Sequence, residues 1–275
     1  MERLESSAVR VRVVDAFTDR PFAGNPAGVV TLREARSDAW MAMVAREMNL
    51  SDTAFVVDEP SEGVDYTLRW FTPMSEVDLC GHATLASAHA LIEDGASAPI
   101  RFATRSGVLT VMQNADGALI MDFPANPPVE VPAPPDLSDA LGCDADWTGR
   151  SKTNFLVVLL EDEDAVHGIT PNLDRLRHLD ADVVVPTSPA RPDAPYDFIS
   201  RVFAPKIGID EDPVTGSSHT VLAPFWAERL GKQALVGHQA SSRPGNVGVE
   251  VVGDRVMVNG RAVTVFNGVL QADPG

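Results

Sequence analysis

Arg69-Trp70-Phe71-Thr72-Pro73 returns later in the chain as Arg201-Val202-Phe203-Ala204-Pro205, spaced by 132 positions (69 to 201). Each copy precedes a glycine that heads an apolar run of helical spacing. These are Gly81-His82 and Gly216-Ser217, spaced by 135 positions (81 to 216). A third pair, Thr104-Arg105-Ser106-Gly107 and Ser242-Arg243-Pro244-Gly245, follows at 138 positions (105 to 243). Three landmarks in one order, with spacings that drift only slightly, mark a duplicated domain of roughly 130 residues.

Around these landmarks, the first half predicts strands over residues 11–17, 53–57 and 66–71, with turn chemistry at 20–26. An amphipathic helix is expected over 36–49 and a second helix over 80–93, stopped by Gly95. A meander follows over 100–103, 108–113 and 118–123. The second half predicts strands over 155–161, 182–185 and 197–203, a short helix over 172–179 and a long one over 217–230, closed by Gly231. It ends in strands over 247–252, 255–258 and 262–266, with Gly253-Asp254 and Asn259-Gly260 as turns.

The stretch Ala83-Thr84-Leu85-Ala86-Ser87-Ala88-His89-Ala90-Leu91-Ile92 is small or apolar nearly all round, so such a helix must be buried on every side. The economical solution is a mostly antiparallel sheet wrapped around a central helix, twice. This is an α+β fold of two similar domains and not a doubly wound βαβ one. The proline-rich stretch 124–135 serves as linker, which places the domains at 1–128 and 129–275 and leaves the last strand free to cross back to the first domain.

With 22 Lys and Arg against 39 Asp and Glu, the formal charge is −17. That balance repels nucleic acid and anionic membrane, though local amides and arginines still allow an anionic small molecule. No apolar run approaches a membrane span, and residues 1–10 carry no apolar signal core, so a cytoplasmic protein is expected. Cys80 and Cys143, the only cysteines, show no metal-ligand spacing, and the six histidines form no HExxH cluster. No metal is predicted. His167 and His178 read as surface residues.

The two helix starts are the first candidates. Unpaired amides and a partial positive charge at a helix N-terminus suit a carboxylate or phosphate, and Gly81 and Gly216 allow close approach. Ser217 either caps its own helix or contributes to such a site. Asp52, between a helix and an apolar strand, either caps a turn or is a half-buried carboxylate fitted for proton transfer. His82, at a helix N-terminus, tends to be neutral and either hydrogen-bonds a substrate, relays a proton or is merely packed at the helix start. His89 and His219, inside helices, read as core histidines. Asp212 either caps a turn or orients another group. Cys80 would need a second thiol to act in a two-base racemase, and the equivalent region of the repeat has none.

Taken together, Val14-Asp15-Ala16-Phe17, Phe22-Ala23-Gly24-Asn25-Pro26, the segment 49–55, Asp78-Leu79-Cys80-Gly81-His82-Ala83-Thr84 and Glu211-Asp212-Pro213-Val214-Thr215-Gly216-Ser217 resemble the PhzF (phenazine biosynthesis-like) family. The resemblance implies a diaminopimelate epimerase-like fold with the site between two similar halves. It also implies a cofactor-independent isomerase, as PhzF moves a proton along trans-2,3-dihydro-3-hydroxyanthranilate. The family's acid/base glutamate corresponds to Asp52. His82 and Asp212 are carried over as polar catalytic groups, and Gly81, Gly216, Ser217 and Asn25 as substrate-binding positions. A homodimer is plausible on the same ground. Aspartate is one methylene shorter, which sets the carboxylate about 1.5 Å further back. A misplacement of ~1 Å can cost about a hundredfold in rate, so either the substrate sits deeper, the chemistry differs, or catalysis is weak.

The leading expectation is an isomerase acting on a small, cyclic or amino-acid-like carboxylate through Asp52. Two alternatives are a racemase or epimerase using Cys80, and a metabolite-binding protein without catalysis.

Overall fold

The computed structural model describes residues 9–271; the reading of the N-terminal residues as lacking a signal core lies outside them, save for Val9 and Arg10. The chain forms two compact units. One runs to Met121 and resumes at Gly260; the other is Asp122–Asn259.

The first unit contains β1 (Arg10–Ala16), β2 (Asn25–Leu32), α1 (Asp38–Met48), β3 (Asp52–Val57), β4 (Tyr66–Phe71), β5 (Glu76–Val77), α2 (Gly81–Glu93), β6 (Ile100–Thr104), β7 (Gly107–Gln113) and the first half of β8 (Leu119–Pro124). The second contains β9 (Val129–Glu130), α3 (Leu137–Leu141), β10 (Trp147–Arg150), β11 (Phe155–Leu159), α4 (Glu163–Gly168), α5 (Leu173–His178), β12 (Val183–Pro189), β13 (Phe198–Ser200), α6 (Gly216–Leu230), β14 (Ala234–Gln239), β15 (Gly245–Val252) and β16 (Arg255–Gly260). The last strand, β17 (Ala262–Val269), pairs antiparallel with β1.

The repeat extends to strand direction. In the first unit the order β17-β1-β2-β3-β4-β6-β7-β8 is antiparallel except at β2/β3 and β4/β6. In the second, β9-β10-β11-β12-β13-β14-β15-β16 is antiparallel except at β11/β12 and β13/β14, the same two steps. Each sheet packs on its own helix: α2 lies against β1, β2, β3 and β17, and α6 against β11, β14 and β15. Residues 82–88 are buried without a break, which accounts for a helix with no polar face. Arg12, itself buried, closes the far end of α2 by donating to Ala90 O at 3.0 Å and to Asp94. This pairing holds the Asp94 carboxyl below its usual range.

The repeated Arg-x-Phe segment makes the same clamp in both units. Arg69 donates twice to Glu76, at 2.7 Å each, and lies over Phe71. Arg201 donates to Glu211 at 2.7 and 3.0 Å and lies over Phe203. Each bidentate clamp ties a strand end to the segment that leads into the unit's long helix.

Several local expectations need correction. Residues 20–26 are not all turn, because β2 begins at Asn25. Pro26 is tolerated because the β2/β3 ladder starts one residue later, at Ala27 opposite Asp52. Asn259-Gly260 is not a hairpin turn, since β16 runs through Gly260 and β17 pairs with β1 instead. Sequence patterns also missed β2, β5, β9, β10, β14, α3 and α4. Pro224 lies inside α6 and removes one helical N–H; the Thr220 carbonyl it would have served accepts Asn126 N at 3.1 Å instead.

Candidate active site

Asp52 is the first residue of β3, a strand with all six residues buried. The chain reaches it from α1 through Asn49, whose φ of 49° ends the helix in the left-handed region. Asn25 starts β2, the parallel neighbour of β3, so both side chains emerge at the same end of that strand pair. The turn leading to Asn25 depends on Gly24. Its φ is +65°, and a Cβ there would stand 2.1 Å from the carbonyl oxygen of Ala16.

The N-terminus of α2 completes the cluster. Cys80 is its N-cap and makes no side-chain capping bond. His82 is buried, and burial lowers its pKa to about 4, so the ring is neutral at pH 7. Its Nδ1 lies 3.4 Å from Cys80 Sγ, and its Nε2 lies 3.3 Å from Ser51 Oγ and 3.8 Å from Asp52 Oδ2. The single Ser51 hydroxyl proton is directed at Asn25 Oδ1 (3.2 Å) or Pro26 O (3.4 Å). By that assignment Ser51 accepts from His82 Nε2–H, which lies 3.8 Å from Asp52 Oδ2, while Nδ1 accepts from the thiol. The result is a buried carboxylate opposite a neutral imidazole N–H, beside the amides of an uncapped helix start.

The equivalent helix start in the second unit is built differently. Thr215, spaced 135 positions from Cys80 (80 to 215), is the N-cap of α6 and also makes no side-chain capping bond. Its hydroxyl donates to Asp212, its N–H donates to Gln239 Oε1 at 2.8 Å, and Gln239 Nε2 donates to Asp212 O at 2.7 Å. Asp212 is buried, Gly216 is the first helical residue, and Ser217 is the second, with an exposed side chain. Ser217 is therefore not the cap. His219 is a core histidine: buried, accepted by Thr215 O at 2.8 Å through Nδ1, and lowered by burial to about 4. His89 departs from the core reading, since it is part-exposed and 3.3 Å from Glu93.

Of the sequence-predicted site residues, Asn25, Asp52, Gly81 and His82 come together in the first unit, and Asp212, Gly216 and Ser217 in the second. Sequence reasoning missed Ser51, the contact of Cys80 with His82, and the Gln239 brace. It also missed Glu76 and Glu211, whose spacing of 135 positions equals that of the two glycines and was a legible signal. Among the described residues, Asp52, Cys80 and His82 also form a group able to hold a metal ion, each offering one ligand atom within 4.8 Å of the others.

A family model described as phenazine biosynthesis-like protein matches residues 14–268. An uncharacterized isomerase of Pseudomonas aeruginosa is 46% identical over 260 residues, covering 94% of this chain and 96% of that protein. The crystal structure of a PhzF-family phenazine biosynthesis protein from Enterococcus faecalis superposes with a TM-score of 0.90 at 38% identity, over 96% of this chain and 100% of that one. A hydroxyproline epimerase from Agrobacterium vitis shares the fold alone, with a TM-score of 0.62 at 10% identity over 98% and 94% of the two chains. Among the described residues, no helix is long and apolar enough to cross a membrane.

Proposed function

The chain belongs to the phenazine biosynthesis-like family, and from that premise we propose that it is an isomerase that moves a proton on a small carboxylate substrate by acid/base chemistry, without an organic or metal cofactor. The observation that carries this reading is the buried Asp52 carboxylate, 3.8 Å from a neutral His82 and at the position of the family's acid/base. Asp52 removes a proton from carbon and returns it elsewhere on the same molecule. The amides at Gly81 stabilise the enolate-like charge that develops between the two transfers, and the His82 Nε2–H turns to it from Ser51 when substrate enters. A neutral imidazole suits that role because it donates a hydrogen bond without forming an ion pair that would trap Asp52 in its ionised form. Asn25 holds this arrangement by accepting from Ser51. The proposed substrate-binding roles of Asp212, Gly216 and Ser217 rest on the family resemblance and on the repeat.

The test is deuterium incorporation in heavy water, followed by NMR. The panel is trans-2,3-dihydro-3-hydroxyanthranilate with cyclic and acyclic amino acids. Asp52→Ala should abolish exchange while circular dichroism shows the fold intact. Undiminished exchange in that variant removes Asp52 from the mechanism. Binding without exchange, by wild type and across the panel, favours a metabolite-binding protein.

A second reading draws on the contact between Cys80 and His82: Cys80 as one base of a racemase or epimerase. Its counterpart in the repeat is Thr215, committed to Asp212, so the second thiol is missing. Full exchange in Cys80→Ser would discard it.

A further inference from the structure

We infer that Asp52, Cys80 and His82 form a binding site for a thiophilic divalent cation, zinc above all, and that the cation acts as an inhibitor. The three residues supply the donor types such an ion prefers: a thiolate, an imidazole nitrogen and a carboxylate oxygen. Their ligand atoms already lie within 4.8 Å of one another. A tetrahedral zinc with bonds of about 2.0–2.3 Å needs ligand atoms roughly 3.3–3.7 Å apart. The Cys80 Sγ to His82 Nδ1 distance of 3.4 Å meets that requirement, and the Asp52 carboxylate, whose ligand atom is within 4.8 Å of the others, has at most about 1.5 Å (4.8 less 3.3) to close.

Local chemistry favours the metal in two ways. Nδ1 is the nitrogen left without a proton by the Ser51 bond, and it is the one that faces the thiol. All three side chains are buried, which limits competition from water and weak chelators. On binding, the thiol proton leaves to solvent, sulfur donates a lone pair to the cation, and the fourth position holds a water or an anion. No oxidation state changes. The bound cation removes both the lone pair of Asp52 and the freedom of His82. The inhibitory half of the inference therefore rests on the isomerase reading, whereas the binding half does not.

Cobalt(II) serves as the optical probe. Titrating the full chain with cobalt should produce a thiolate-to-metal charge-transfer band in the near ultraviolet that saturates at one ion per chain and vanishes on adding zinc. Cys80→Ser should lose the band, Cys143→Ser should keep it, and Asp52→Asn and His82→Gln should each weaken cobalt binding tenfold or more. Absence of the band in folded wild type, or its survival in Cys80→Ser, overturns the inference. In parallel, equimolar zinc should abolish deuterium exchange on whichever panel acid exchanges, and a chelator should restore it. Exchange that persists at a zinc concentration saturating the cobalt site overturns the inhibitory half. If no acid exchanges even without zinc, the isomerase reading fails while the cobalt band still decides the metal site.

Discussion

Mild acid should weaken this fold through two histidines. His82 and His219 are both buried, and burial lowers each from 6.5 to about 4. Well above pH 6.5 neither the folded nor the unfolded chain protonates these rings, so no stability depends on them. As pH falls, the unfolded chain takes up protons that the folded protein refuses, and stability declines until about pH 4, where the penalty levels off. At pH 5 the expected loss is roughly 2 kcal/mol for each ring, or about 4 kcal/mol for the pair. Favourably paired carboxylates do not obscure this window. Asp94, held low by Arg12, and Asp182, held low by Lys206, lose their contribution only as pH falls below the ordinary carboxylate range. The assay is urea unfolding between pH 7.5 and 5, with the tryptophans of the two units as reporters, on wild type and on His82→Gln and His219→Gln. Each variant is less stable at pH 7.5 yet should lose about 2 kcal/mol less than wild type over the interval. Equal losses in wild type and both variants would refute the reasoning, because the rings would then titrate alike in both states.

Three further outcomes are expected. Asp52→Glu should leave the fold intact but slow exchange by roughly a hundredfold, since the carboxylate overshoots by about one bond length; a rate at or above wild type would show that the aspartate is not fitted to its substrate. Arg201→Met should cost about 2 kcal/mol in urea unfolding, because it strands Glu211 and the Ile169 carbonyl that Arg201 also serves at 2.7 Å. Gly24→Ala should cost at least ~2 kcal/mol, since both the positive φ and the Ala16 carbonyl oppose a Cβ; an unchanged melting temperature would mean that the β1–β2 turn has another accessible conformation.

The strand at residues 66–71 and the helix that became α1 were legible from hydrophobic spacing, whereas α2 and α6 were legible as long apolar runs stopped by Gly95 and Gly231. The duplication was legible because an arginine clamp repeats along with its aromatic partner. What escaped the pattern depends on neighbours far away in sequence. Asn25-Pro26 resembles a turn until β3 is seen to begin opposite Ala27. Asn259-Gly260 has hairpin chemistry, yet the strand after it pairs with β1. Within the site, Asp52, His82, Asn25 and Gly81 were legible through family motifs. The Ser51 link was not, because a serine beside an acidic residue carries no spacing signal of its own.

The pairing of β17 with β1 has a consequence during translation. The second unit takes its sheet from one contiguous segment and can close as soon as that segment leaves the ribosome. In the first unit, β1 must wait while all of Asp122–Asn259 is synthesised, on the order of ten seconds at ~5–20 residues per second. Throughout that interval a β-branched strand presents a bare edge to the cell, and nascent chains of this protein should engage holdase chaperones until residues 262–269 arrive to cover it.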